Sequence, residues 1–232
     1  MRQAHVNPNV DTALRGARAQ LLGAAAHAED WIPRLPKAAD TVRPASVLIL
    51  FGRLDDVPAR SDEQTVAADL DVLLQRRAAD LQSHPGQVSF PGGAREDGDA
   101  DVVATALREA QEETGLDPDG VEVLAALPQL PLVVSRFLVT PVLGWWREPS
   151  QVAAVDHAET VEVFRMPVAN LLDPANRYTS VLAHEGGTFR GPAFEVDGTV
   201  VWGFTAGILN ALFDATGWAL PWDPSVERPV TV

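Results

Sequence analysis

Ser89-Phe90-Pro91-Gly92-Gly93-Ala94-Arg95-Glu96-Asp97-Gly98-Asp99 reads as a glycine-rich turn, and Ala106-Leu107-Arg108-Glu109-Ala110-Gln111-Glu112-Glu113-Thr114-Gly115-Leu116 as an acidic helix that follows it. Val103, Ala104, Leu107 and Ala110 form an apolar stripe at helical spacing, and Gly115 is placed as the left-handed stop. Glu109 and Glu113 stand four apart and share a face, with Glu112 beside them. Carboxylates about 6 Å apart repel by about 3 kcal/mol at an effective dielectric near 20. A bound hard cation turns that repulsion into affinity, which points to Mg²⁺ or Mn²⁺ and their preference for oxygen ligands. The plainer alternative is a solvated Glu-rich face on which Arg108 and Glu112 make an ordinary ion pair one turn apart.

Composition narrows the function classes. The chain has 232 residues, 46% hydrophobic and 22% charged, enough for a sizeable core. A formal net charge of −14 argues against a nucleic-acid partner, whose phosphates need a basic footprint. A small anionic substrate has to be met by a metal or a local arginine cluster. Without cysteine there is no disulfide, zinc–thiolate site or cysteine nucleophile. No apolar run reaches membrane-spanning length, and Leu21 to Ala26 is short for a signal core and follows the acidic Asp11. An amphipathic helix over residues 11–28 is the preferred reading, and a cytoplasmic protein is expected.

Prolines 33, 36 and 44 then make an irregular connector. Strands are expected at Ser46–Phe51, Leu70–Arg76, Val121–Leu127, Phe137–Gly144, Thr160–Met166, Tyr178–Ala183 and Thr199–Phe204. A helical turn or two is expected at Val168–Leu172, a closing helix at Ala206–Phe213, and loops at 54–68 and Pro128–Val134. Trp145, Trp146 and Trp202 are read as packing residues. With no repeat and no clean linker, the chain is expected to form one domain over 45–215, with a helical extension at 1–44 and an irregular tail at 216–232.

The string Arg-Glu-x-x-Glu-Glu-x-Gly arises by chance in roughly one chain in five thousand of this length. With Gly92-Gly93 upstream, it resembles the Nudix box, the signature of hydrolases that split a diphosphate linked to another group. Leu73-Leu74-Gln75-Arg76-Arg77-Ala78, the turn His84-Pro85-Gly86-Gln87-Val88 and Phe90-Pro91-Gly92-Gly93 are similar to a second signature, that of the coenzyme A pyrophosphatase branch. So are Arg136 to Val142 and Val201 to Ile208. The box loop is one residue longer than in the generic box, and Asp99 stands where that box has Glu. Gln82 replaces a basic residue of the branch signature, and Gln75 a hydroxyl residue.

The resemblance implies an α/β fold, the Nudix α/β/α sandwich with a mixed sheet. It implies an Mg²⁺- or Mn²⁺-dependent pyrophosphohydrolase acting on coenzyme A or its derivatives. Glu109, Glu113, Glu112 and the Gly93 carbonyl would hold the metal, and Arg108 would orient the carboxylates. Glu112, Glu159 or Glu162 would act as base, and Arg77, Gly92 and Gly93 would face substrate. His84 is read as a turn residue. ADP-ribose, NADH or a nucleoside triphosphate are alternative substrates, favoured by Gln82 and opposed by the His84–Gly93 turn. A non-catalytic nucleotide-binding module is the alternative of another class. The partner expected is a small diphosphate, without nucleic acid or membrane, and a homodimer is left open.

Overall fold

The computed structural model describes residues 16–32, 43–54, 66–78, 86–132, 136–155, 160–184 and 187–230. Eight strands make a mixed central sheet: β1 (Arg43–Arg53), β2 (Leu70–Arg77), β3 (Val88–Ser89), β4 (Gly92–Ala94), β5 (Val121–Ala126), β6 (Leu130–Leu132), β7 (Phe137–Trp146) and β8 (Thr160–Pro167). Its path runs β3-β2-β1-β7-β5, with β4 pairing β1, β6 pairing β7 and β8 pairing β2. Only β1 and β7 run parallel within it.

Because side chains alternate along a strand, β1 and its neighbours carry two apolar sets. Leu48, Leu50, Leu73, Val142 and Trp146 pack on one face against Ala106, Ala110 and Leu116 of helix α3 (Val102–Thr114) and the turn after it. Ile49, Phe51, Val72, Leu74, Leu143 and Trp145 face the opposite way. They meet α1 (Ala17–Ala26) and α5 (Gly203–Thr216), with Trp218 edge-on to Phe51 at 5.8 Å. The result is helix, mixed sheet, helix: the α/β/α arrangement expected. Short helices α2 (Ala28–Trp31) and α4 (Val168–Leu172) flank these layers.

A second sheet of four strands, β9 (Arg177–His184), β10 (Gly187–Val196), β11 (Thr199–Val201) and β12 (Glu227–Pro229), lies on the α5 side, in the order β11-β10-β9-β12. Its Phe194, Val196 and Val201 enter the same apolar cluster as α5. Thr205 in the first turn of α5 donates to the Val88 carbonyl at 3.1 Å, tying this layer to β3.

Several expected boundaries shift for identifiable reasons. The strand at Thr199 ends at Val201, because Gly203 adopts φ +67° and starts α5 there. Trp202 is therefore a half-buried residue at a helix start rather than part of a strand. The loop at 128–134 contains β6, held by antiparallel pairing to β7. In the tail expected to be irregular, Glu227–Pro229 lies parallel to β9 as an edge strand, where a proline costs no ladder bond. The leading helix begins at Ala17, and its Ala17, Leu21 and Ala24 are buried in the main core. Trp145 and Trp146 are 1% and 2% exposed, in keeping with packing. Among the described residues no helix is long and apolar enough to cross a membrane.

Candidate active site

Helix α3 is fixed at both ends. Asp101 caps its start, its Oδ1 accepting from the amides of Val103 and Ala104 at 2.9 and 2.8 Å. Gly115 ends it at φ +70°, as its position in the sequence implies. Beyond it, the Ala153 and Val155 amides donate to the Thr114 and Glu113 carbonyls at 3.0 and 3.1 Å, so the segment after β7 satisfies the free end. A cavity of about 710 Å³ opens there, lined by Thr114, Gly115, Val152, Val155 and Arg165 among others.

The three glutamates have different surroundings. Glu113 is 5% exposed. Its Oε2 accepts from the Gly92 amide at 2.8 Å and from Gln75 Nε2 at 2.7 Å. Burial pushes its carboxyl up to about 7, against the opposing pull of those two donors and of the nearby Arg77 charge, and the negative Glu109 adds to the rise. Glu109, with its side chain 15% exposed, lies 3.1 Å from Arg108 Nη1. Its carboxylate occupies the place a side chain on Gly93 would take, since a Cβ there would lie 2.5 Å from its carboxyl carbon. Gly92 is equally constrained, because a Cβ would collide with the Ser46 carbonyl oxygen in β1. The Gly-Gly pair thus lets β4 run against β1 and leaves room for a carboxylate. Glu112, 58% exposed, reaches Arg108 Nη1 at 2.9 Å.

Arg108 organises the loop before the helix. Its Nε and Nη2 grip Asp99 at 2.9 and 3.0 Å, and Nη2 also donates to the Ala94 carbonyl at 3.0 Å. That two-pronged bond holds the Asp99 carboxyl far below the usual carboxylate range and raises the guanidinium in turn. Asp99, standing where the generic box has Glu, is therefore the anchor for Arg108. Arg77, at the end of β2, has a buried Nε with no hydrogen-bond partner among the described residues.

Glu109, Glu113, Gly92, Gly93, Arg108 and Arg77 thus gather around one end of α3. Glu162 does not join them: it pairs at 3.1 Å with Arg76, which points to the opposite face of the sheet from Gln75. His84, Gln82 and Glu159 lie outside the described residues. Two participants escaped the sequence reading. Asp101 could have been found as a capping residue ahead of an apolar-periodic run. Gln75 was noticed only as a departure, because nothing in strand periodicity marks a buried amide as a partner for a carboxylate 38 residues away.

Three or more His, Cys, Asp or Glu side chains do not cluster into a ligating group among the described residues, because Arg108 draws Glu112 and Glu109 toward itself. The donor chemistry nevertheless suits a hard cation. Two carboxylates one turn apart share an enclosed face, and the buried one has a raised pKa with burial as its main cause.

The NUDIX domain family model matches residues 58–183, more than half of the chain. The chain belongs to the Nudix family. The uncharacterized Nudix hydrolase NudL of Cronobacter sakazakii is 40% identical over 141 residues, covering 61% of this chain and 72% of that protein. NudL of Escherichia coli O1:K1 is 39% identical over the same length. Among solved structures, a MutT/nudix family protein from Enterococcus faecalis aligns with a TM-score of 0.47 at 16% identity, over 82% of this chain and 68% of that one. Family membership makes the protein a pyrophosphohydrolase.

Proposed function

We propose that this Nudix hydrolase cleaves the diphosphate linkage of coenzyme A or its derivatives, giving 3′,5′-ADP and (acyl-)4′-phosphopantetheine, with Mg²⁺ or Mn²⁺ as cofactor. One observation carries the reading: the stretch similar to the coenzyme A branch packs directly on the box. Gln75 and Gly92, both within that stretch, donate to Glu113 at 2.7 and 2.8 Å. Arg77, from the same stretch, brings its charge and an unpartnered buried Nε to that side.

Glu109 and Glu113 would hold the cation, with Glu112 and the Gly93 carbonyl as further donors. When bound, the cation neutralises charge on the diphosphate and polarises its oxygens. Arg77 binds a non-bridging phosphate oxygen through its guanidinium. Glu112, the most accessible of the three, takes the proton of the attacking water, and Arg108 holds it in place. The water oxygen bonds to phosphorus, the bridging P–O bond breaks, and the bridging oxygen leaves on the other phosphate. The retained Glu109, Glu112 and Glu113 speak for catalysis and against a binding-only module.

Incubation with Mg²⁺ and a panel of coenzyme A, ADP-ribose, NADH and a nucleoside triphosphate, with products resolved, tests the substrate. Coenzyme A is expected to be cleaved best. Preferential cleavage of another diphosphate overturns the substrate and leaves the chemistry standing.

A further inference from the structure

Gln75 is fully buried in β2, next to the apolar run Val72-Leu73-Leu74. Its amide joins two elements that do not otherwise meet at this point. Nε2 donates to Glu113 Oε2 at 2.7 Å, and Oε1 accepts from the Thr160 hydroxyl at 3.3 Å. Thr160 is itself fully buried at the start of β8. The pattern fixes the amide's orientation, because turning it over would set its oxygen against a carboxylate oxygen, two acceptors face to face. The Gly92 amide donates to the same Oε2 at 2.8 Å. Both donors therefore fall on one oxygen of Glu113, and Oε1 accepts no hydrogen bond among the described residues.

We propose that Gln75 is a positioning residue that selects which oxygen of Glu113 faces the cation, and that Thr160 keeps Gln75 in the orientation this requires. The inference rests on Glu113 as a cation ligand. A hydroxyl side chain at position 75 is too short to span Thr160 and Glu113 together, so the glutamine places the metal face under the control of β8. Outer partners of ligating carboxylates tune metal affinity by holding the ligand's geometry.

Mn²⁺ binding to the purified full chain, read from the electron paramagnetic resonance of the free ion, tests this without substrate. Gln75→Met keeps volume and removes the donor, and should weaken Mn²⁺ binding by about 10- to 100-fold. Thr160→Val should weaken it less. The double variant should bind no more weakly than Gln75→Met alone, because Thr160 acts only through Gln75. A merely structural role would lower the melting temperature and leave Mn²⁺ affinity unmoved. Wild-type affinity in folded Gln75→Met, or losses that multiply in the double variant, would overturn the proposal. Glu113→Gln separates the two layers: it should lose the site outright, and if it binds as wild type, the ligand assignment fails and the role of Gln75 with it, whereas wild-type affinity in Gln75→Met beside a lost site in Glu113→Gln overturns the role of Gln75 alone.

Discussion

Along β2, Leu73 and Gln75 point toward α3, while Leu74 and Arg76 point toward α5 and the second sheet. The α5 side is dominated by a large apolar cluster in which Phe213 and Trp218 lie 6.1 Å apart. The α3 side has a smaller cluster, and beside it on the helix lie Glu109, Glu113 and Arg108, with Gln75 of β2 reaching Glu113. One strand thus contributes to folding on one face and to chemistry on the other. Glu113 Oε2 on the chemical face has two donors, yet burial pushes that carboxyl upward toward neutrality. That is the arrangement expected where stability is given up for a cation.

Substitutions can break this contrast. Glu113→Gln should lower turnover by on the order of 10³-fold, as expected when a group that helps hold the transition-state charge is lost. Metal-free stability should not fall, since an ill-solvated charge is removed. Phe213→Ala, on the other face, should cost about 3 to 4 kcal/mol of unfolding free energy in denaturant titration. Turnover per folded molecule should stay unchanged. Arg108→Lys should cost about 2 kcal/mol and also slow turnover, because a point charge cannot serve Asp99, Ala94 and Glu112 together. Glu162→Gln should change stability by less than about 0.5 kcal/mol and leave the rate intact, being an exposed pair with Arg76 on the far face.

The acidic helix was legible because its signals are local: an apolar stripe, carboxylates one turn apart and a glycine at the stop. The central strands were legible as apolar runs, since a sheet covered on both faces needs them. Less visible was whatever depends on distant partners. β12 is three exposed residues that become a strand only by lying along β9. The start of α5 follows from a positive φ at Gly203, which the sequence does not distinguish from an ordinary loop glycine. Gln75 looked like an oddity in a signature until Glu113 and Thr160 closed around it. Glu162 looked eligible as a base because strand periodicity was known without the register that turns it toward Arg76.

If Glu113 is a buried carboxylate held in readiness for a cation, the pH dependence of stability will carry its mark. Its carboxyl ionises near 4.5 in an unfolded chain and about 7 in the folded one. The folded state therefore binds more protons between those values, and stability falls as pH rises through that window, by about 3 kcal/mol in all. The measurement is the unfolding free energy of metal-free wild type minus that of Glu113→Gln, followed from pH 4 to 8. Taking the difference cancels groups common to both proteins, including Asp99, whose contribution is lost only at more acid pH. The difference should decline as the pH rises, and saturating Mg²⁺ should abolish the decline. A flat difference, or a decline that Mg²⁺ leaves untouched, would contradict it.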